Sequence, residues 1–159
     1  MKNLIKIKML SIILLICGGC IIGGCKNPDE NVDNEEISIE TRILEKTKWK
    51  LVGIVDEQGD MKILEPKDCD ECYTLTFDSS STFLSFSSAN QIEGTYVVDY
   101  ETKEMRITEF KGTEINERGD GQLFCNLFYS VKSFILQENE LRLYCNEKKN
   151  YLLFKIQQF

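Results

Sequence analysis

Cysteine is the residue type in this sequence that offers the most chemistry. The chain has 159 residues, seven cysteines and no histidine. The lack of histidine excludes Ser-His-Asp and Cys-His catalysis, His-ligated zinc or haem, and a histidine pH switch. Thiols remain able to carry a covalent modification, form disulfides, bind zinc or exchange electrons. The cysteines are Cys17, Cys20, Cys25, Cys69, Cys72, Cys125 and Cys145.

Cys69 and Cys72 form a Cys-Asp-Glu-Cys motif, which has the spacing found in thiol oxidoreductases. A reactive thiolate needs a lowered pKa, usually from a helix N-terminus or from nearby cations. Asp68, Asp70 and Glu71 instead place negative charge beside both sulfurs, and a predicted strand follows. Because this charge raises a thiol pKa, we expect a structural disulfide and no redox catalysis.

An even number of cysteines follows residue 47, and in an exported protein this favours disulfides, with three possible connectivities. Sequence proximity favours Cys69–Cys72, which leaves Cys125 to reach Cys145. A four-cysteine zinc site would usually show a second close pair, whereas Cys125 and Cys145 are twenty positions apart. We therefore expect two disulfides, no metal and no cofactor.

The first 24 residues predict a signal peptide. Residues 1–8 are basic, residues 9–16 form an apolar run, and four glycines then interrupt it. The run is shorter than the roughly 20 residues that a membrane-spanning helix requires. This segment carries three lysines and no acid, so its removal leaves a net charge of −10. A nucleic-acid partner is not expected at that charge.

The segment Ile22-Gly23-Gly24-Cys25 resembles the lipobox of bacterial lipoproteins. The resemblance implies that Cys25 is linked to diacylglycerol, becomes the first residue of the mature chain and is N-acylated. Cys20, which follows Cys-Gly-Gly, is the weaker alternative. Several acyl chains at about 0.8 kcal/mol per buried CH₂ would hold the protein stably on a membrane.

Residues 25–46 are predicted to be the lipidated cysteine and a solvated tether. Residues 26–40 hold one lysine, six acids and a proline, and little that could be buried. Asp29 and Glu30 resemble the acidic surface-export signal of Bacteroidota lipoproteins, and Lys26 is not the aspartate of an inner-membrane retention signal. The resemblance implies the outer membrane, with the cell surface favoured over its periplasmic face.

From Trp49 onward the hydrophobic period is two, and turn signals recur at short intervals. The pattern predicts eight strands, four of which form a meander between residues 73 and 110. It indicates an all-β fold over residues 47–159, either a small antiparallel barrel or a strongly curled sheet. A single helix is expected to cover an opening or edge, with Asp120 as its cap. Its apolar face comprises Leu123, Phe124, Leu127, Phe128 and Val131.

Several motifs in this region resemble the META domain of bacterial heat-shock-type and stress-related outer-membrane lipoproteins, over residues 47–156. Two positions depart from the family pattern: Ala89 stands where the family often has a cysteine just before the Asn90 position, and the cysteine that often follows the Thr113 position has no counterpart here. The resemblance implies a non-enzymatic protein that contacts a protein or another envelope component. The matching residues are Trp49, Leu51, Thr76, Phe77, Phe83, Asn90, Gly94, Tyr96 and Thr113.

Three further features have alternative interpretations. The aromatic residues could line a cavity, which makes a lipocalin-like carrier of a small apolar ligand the alternative function, although a packed core is expected. The segments 56–60 and 117–120 could hold calcium, but both read as ordinary turns. Arg118-Gly119-Asp120 spells an adhesion tripeptide, yet Asp120 is better explained as a helix cap.

Replacing Cys25 by alanine is expected to release the protein from membranes, because the acyl chains lose their attachment site. Membrane fractionation with immunoblotting measures this. The matched control, Cys20→Ala, is expected to stay in the membrane fraction. Retention of Cys25→Ala would show that the lipobox assignment is wrong.

Overall fold

The structure is a computed structural model that describes residues 44–146 and 149–157. The predicted signal peptide, Cys25 and most of the predicted tether lie outside these residues. The described chain contains nine strands and a helix of nine residues. The elements are β1 (Lys48–Val55), β2 (Met61–Lys62), β3 (Thr74–Phe77), β4 (Thr82–Phe86), β5 (Gln91–Asp99), β6 (Glu104–Gly112), α1 (Gly121–Tyr129), β7 (Val131–Gln137), β8 (Glu140–Cys145) and β9 (Asn150–Ile156).

The sheet closes on itself as an antiparallel barrel of eight strands. Strands β3 to β9 pair in chain order, and β1 pairs with both β3 and β9. The closing pair runs from Trp49 opposite Ile156 to Val55 opposite Tyr151. Strand β2 is an addition of two residues beside the far end of β1. The predicted barrel and the meander of β3 to β6 are confirmed.

Alternating side chains fill the barrel interior. On β3, Leu75 and Phe77 are fully buried, and on β4 Phe83 points inward while Leu84 is exposed. This alternation follows from the opposite directions of successive side chains on a strand. Since the interior is occupied by large rings and aliphatic chains, the expected packed core is confirmed. Fully buried large residues include Trp49, Phe77, Tyr96, Phe124, Phe128, Phe134 and Phe154.

The folded part begins earlier than the sequence pattern suggested. Leu44, which was assigned to the tether, is fully buried, and the Trp49 indole Nε1 donates a hydrogen bond to the Leu44 carbonyl at 3.4 Å. The isolated Ile43-Leu44 pair among polar residues gives no periodic signal, which is why the burial of Leu44 was not predicted. Leu44 therefore belongs to the core of the barrel.

The weakest seam of the barrel lies between β6 and β7. These strands are in register only where Glu104 lies opposite Ser133, and one further hydrogen bond runs from the Phe134 N–H to the Lys103 carbonyl at 2.9 Å. Helix α1 joins the two strands and covers the opening, as predicted. Two of its rings enter the core, Phe124 edge-on to Tyr73 at 5.3 Å and Phe128 edge-on to Phe83 at 5.1 Å.

Three details of the helix prediction are wrong. Asp120 precedes the helix but makes no side-chain cap, because its carboxylate accepts hydrogen bonds from Lys62 Nζ at 2.6 Å and from the Glu65 N–H at 3.0 Å. Leu123 is 36% exposed, because the core takes Phe124 and Phe128 from a helix of only nine residues. Val131 is buried, but it begins β7 and is not helical.

Gly94 lies next to a β-bulge, where β6 carries one residue, Thr108, more than β5. A Cβ atom at Gly94 would lie 1.9 Å from the carbonyl oxygen of Glu109 and 2.9 Å from the Phe83 ring. Backbone on the neighbouring strand cannot retreat without breaking the pairing. This contact explains a glycine at a position that the sequence motif singled out.

Gly94→Ala is expected to lower the free energy of unfolding by about 3 kcal/mol, near the upper end of overpacking costs, because the clash is with backbone. Denaturant unfolding followed by tryptophan fluorescence measures the loss. Gly112→Ala is the control, since its Cβ would lie 3.5 Å from the nearest atom, and we expect a change below about 1 kcal/mol. Equal losses in the two variants would contradict the steric explanation.

Candidate functional site

Three connecting segments meet at one end of the barrel, which we call the loop end. They are the loop between β2 and β3, the turn between β4 and β5 at residues 87–90, and the segment 113–120 that precedes α1. Side-chain hydrogen bonds join these segments, so their positions are fixed although none is regular secondary structure. The loop end contains the CxxC motif, the tripeptide and most of the polar side chains that sequence analysis left without a role.

Glu117 is the centre of the polar contacts at the loop end. Its carboxylate accepts hydrogen bonds from Ser87 Oγ at 2.5 Å, Ser88 Oγ at 2.6 Å and Asn90 Nδ2 at 2.6 Å. Burial of Glu117 raises its pKa, but the three hydrogen bonds outweigh that effect, so the pKa lies below its ordinary value. The carboxylate is therefore ionised at neutral pH and holds segment 113–120 against the turn.

Asn90 contributes a second set of contacts through both ends of its amide. Its Oδ1 accepts hydrogen bonds from Thr113 Oγ1 at 2.8 Å and from the Ile115 N–H at 2.9 Å. Its Nδ2 also donates to the Ile115 carbonyl at 2.7 Å. Asn90 and Thr113 both belong to the motif noted in the sequence, and their direct contact gives that motif a structural role.

The CxxC loop is held by a disulfide and by a lysine. Cys69 and Cys72 are bonded, as predicted. Lys50 Nζ, on β1, donates hydrogen bonds to the carbonyls of Cys69 at 2.7 Å and Asp70 at 3.1 Å, and also to the carbonyl of Cys72. Burial lowers the pKa of Lys50 from its ordinary value. These contacts are structural and supply no reactive thiol.

The predicted second disulfide is wrong, because Cys125 and Cys145 are both free thiols. Cys125 lies on the α1 face that meets Glu117, with Sγ 3.8 Å from Oε1, whereas Cys145 is fully buried within β8. Burial, followed by the Glu117 carboxylate, raises the pKa of Cys125 to about 11. Burial likewise raises the pKa of Cys145 to about 11, so both thiols are protonated at neutral pH.

The adhesion-like tripeptide is occupied by internal contacts. The Arg118 N–H donates to Ser88 Oγ at 2.8 Å, and its guanidinium donates to the Ser88 carbonyl at 3.2 Å. Gly119 has a φ of +54° and lies against the Glu65 carbonyl, where a Cβ would clash at 2.4 Å. Together with the contacts of Asp120 described above, these bonds leave the tripeptide poorly available to another protein.

The candidate calcium segments have other roles. Asp56 Oδ1 accepts hydrogen bonds from the N–H groups of Gln58 and Asp60 at 3.0 and 2.9 Å, which makes residues 56–60 an Asx-type turn, as expected. Glu117 and Asp120 accept hydrogen bonds within the loop end. Within residues 44–146 and 149–157, no group of three or more acidic or cysteine side chains is arranged to hold a metal ion.

Clefts open on the outside of the barrel. One of about 1050 Å³ lies where β7, β8 and β9 meet near Gln137 and Lys155, and another of about 670 Å³ lies over β3 to β6. A smaller cleft of about 380 Å³ lies between β6 and α1 and is named here the β6–α1 groove. Its lining residues are Phe110, Gln122, Cys125, Asn126 and Tyr129.

Aromatic side chains dominate one wall of the β6–α1 groove. Tyr129 is 58% exposed and packs edge-on against Phe110, with ring centroids 5.8 Å apart. Phe110 in turn contacts Phe128, which belongs to the core. An exposed tyrosine held by a ring that is anchored in the core has little side-chain freedom left to lose on binding.

A relative from Tannerella forsythia, named "Putative lipoprotein", is 30% identical to this chain over 161 residues. The match covers 98% of the chain and 97% of the relative. The chain belongs to the same lipoprotein family. No family model matches this lipoprotein, so its resemblance to META domains stays a prediction.

Two solved structures are similar to the lipoprotein in fold. A DUF4847 family protein from Bacteroides vulgatus has a TM-score of 0.61 at 18% identity, covering 76% of this chain and 99% of that one. A protein from Burkholderia xenovorans, solved by NMR, has the same TM-score and identity and covers 93% of this chain and 100% of its own. At this identity the likeness shows the fold alone. In the described part of the chain no helix is both long enough and apolar enough to span a membrane.

Glu117→Gln is expected to lower the free energy of unfolding at pH 7 by about 1–2 kcal/mol, because charge-assisted hydrogen bonds become neutral ones in a partly exposed site. The folded-state pKa is lowered, so this stabilisation is present above the unfolded pKa of about 4.3 and is lost as the pH falls through the folded value. Denaturant unfolding at pH 7 and pH 3 should show the difference narrowing at the lower pH. Exposed Glu114, changed to Gln, is the control, and a pH-independent difference would contradict the assigned role of the charge.

Alkylation is expected to separate the cysteines of the barrel into three classes. In the native protein at pH 8, iodoacetamide should modify Cys125 slowly and leave Cys145 unmodified. After denaturation two alkyl groups should be added, and after reduction four, because one disulfide and two free thiols are present. Mass spectrometry of the digested chain measures each site. Alkylation of Cys125 at the rate of free cysteine would contradict its burial and raised pKa.

Proposed function

We propose that this chain is a lipid-anchored, non-enzymatic lipoprotein of the outer membrane that contacts a protein or another envelope component through its barrel. The observation that carries the proposal is the lipoprotein relative, which matches almost the full length of the chain. The Ile-Gly-Gly-Cys25 segment supports the same conclusion independently, because it supplies the residue to which lipid would be attached.

A binding role is favoured over catalysis by the chemistry of the loop end. Its ionised Glu117 is saturated by hydrogen bonds, its Lys50 is occupied by three carbonyls, and the Cys125 thiol is protonated at neutral pH. A general base, a cation or a nucleophile would each need to be available to a substrate. These groups are instead used to fix the loops, which is the arrangement expected of a rigid recognition surface.

The carrier of a small apolar ligand is the second candidate. It is disfavoured because the barrel interior is filled by rings that are fully buried, such as Trp49, Phe134 and Phe154. The outer clefts are open to solvent, whereas apolar carriers enclose their ligands. A META-type domain and a location on the cell surface are the finer parts of the proposal, and both rest on short sequence motifs.

Crosslinking in intact cells tests the binding role. A photoreactive amino acid placed at Tyr129 on the outer surface of the barrel should yield a discrete crosslinked species in the wild-type envelope, and the Cys25→Ala form, once detached, should yield much less. Protease added to intact cells distinguishes the two membrane faces, since only surface-exposed protein is degraded. An intact mass that includes a co-purified apolar molecule under native conditions would instead support the carrier.

A further inference from the structure

Among the described residues, strand β6 has a long edge without a strand partner. Beyond Glu104, β6 pairs with β5 alone, and none of the described backbone hydrogen bonds joins residues 106–112 to β7 or α1. The backbone donors and acceptors on that side of β6 therefore have no strand partner, and Phe110 in this stretch lines the β6–α1 groove. An open edge of this kind is a template for an additional strand.

Side chains beside this edge define what an added strand would carry. Phe110 and the exposed ring of Tyr129 form an apolar seat in the groove, between the edge and the helix. A large apolar side chain on the incoming strand would be desolvated against these rings.

Charge marks the other end of the open edge. Arg106 and Lys132 lie on the same side of the last paired position, Glu104 opposite Ser133, and both are exposed. Neither has an ion pair among the described residues. The acid nearest to Arg106 in sequence is Glu104. Further along β6, Lys111 and Glu109 form an ion pair with each other. In a chain of net charge −7, two unpaired cations beside a free strand edge favour an acidic group on the partner.

The bulge at Thr108 sets the number of residues on an added strand between the position opposite Arg106 and the position opposite Phe110. Because β6 has one extra residue there, a regular strand laid along the edge advances three residues between Arg106 and Phe110. Two side chains three positions apart on the added strand point to opposite faces of the sheet. This matches the exposed side chain of Arg106 and the half-buried ring of Phe110 on β6.

We propose that the β6–α1 groove binds an extended segment of a partner protein by strand addition to β6, with a large apolar residue on Phe110 and Tyr129 and an acidic residue three positions away on Arg106 and Lys132. The proposal rests on the proposed binding function and specifies its surface and the chemistry of its partner.

A synthetic nonapeptide, acetyl-Thr-Glu-Thr-Val-Phe-Val-Thr-Glu-Thr-amide, tests the proposal with the mature lipidated chain in detergent. Its central phenylalanine has a glutamate three positions away on each side, so either strand direction is allowed. Calorimetry should show saturable binding with a Kd of roughly 10–500 μM, typical of a short unconstrained peptide. The alkylation rate of Cys125, which lines the groove, should fall at least about fivefold, while Cys145 stays unreactive.

Matched variants locate the binding. Tyr129→Ser and Arg106→Glu should each weaken binding about tenfold or more, a loss of about 1.4 kcal/mol. Leu84→Ser and Lys155→Glu remove an exposed apolar residue and a cation elsewhere on the barrel and should leave the Kd unchanged. A peptide with N-methyl groups on alternate residues cannot complete the strand hydrogen bonds and should not bind.

Each other result overturns the proposal. Absence of saturable binding at about 1 mM peptide, equal binding by the groove variants, or equal binding of the N-methylated peptide would each exclude strand addition at this groove. Protection of Cys125 that rises with protein concentration in the absence of peptide would identify a second copy of the chain as the occupant. If the peptide fails while crosslinking at Tyr129 still depends on Cys25, the inference fails and the proposed function stands.

Discussion

The incomplete pairing of β6 with β7 is the constraint on which the rest of the structure depends. Eight short strands can close only if every neighbour pairs, and here one seam is held by a single register position and one further hydrogen bond. Helix α1 supplies the missing contact by inserting Phe124 and Phe128 into the core. Its approach is fixed by segment 113–120, which Glu117 and Asn90 hold to the neighbouring turn. The polar contacts of the loop end and the apolar packing of helix α1 therefore act together to close the seam between β6 and β7.

The chemistry of the charged and sulfur-containing groups follows from the same closure. Charged groups that could react in another setting hold loops in place here. Lys50 donates hydrogen bonds to carbonyls of the CxxC loop, and Glu117 accepts hydrogen bonds from Ser87, Ser88 and Asn90. The Cys125 thiol lies beside that carboxylate, which suppresses its ionisation. An exposed aromatic ring and an open strand edge remain accessible, and they are the features on which the proposed binding role depends.

The strands and the barrel could be predicted because period-two alternation depends only on which side chains face the core, and β3, β4 and β8 show it plainly. The loop end could not be predicted, because Ser87, Ser88 and Glu117 are ordinary polar residues whose meeting depends on tertiary closure. Asn90 was noted through a motif, without its reason. The error at Cys125 and Cys145 arose from counting cysteines, since an even number cannot show that one thiol faces a carboxylate while the other lies inside the barrel wall. The prediction for Leu123 was wrong because the short helix buries Phe124 and Phe128 and leaves Leu123 at the surface. The prediction for Asp120 was wrong because Lys62 and the Glu65 N–H take up its carboxylate.

The burial of Leu44 has a geometric consequence for anything the barrel meets. With the anchor at Cys25, as the lipobox resemblance implies, the eighteen residues 26–43 are all the chain that separates the lipid from the rigid body. Fully extended, they reach about 60 Å, and as a flexible coil they would average roughly 25 Å. A barrel anchored in this way would stay within a layer of that depth above the bilayer, and a partner would need a segment inside that layer, either embedded in the same membrane or close to its surface.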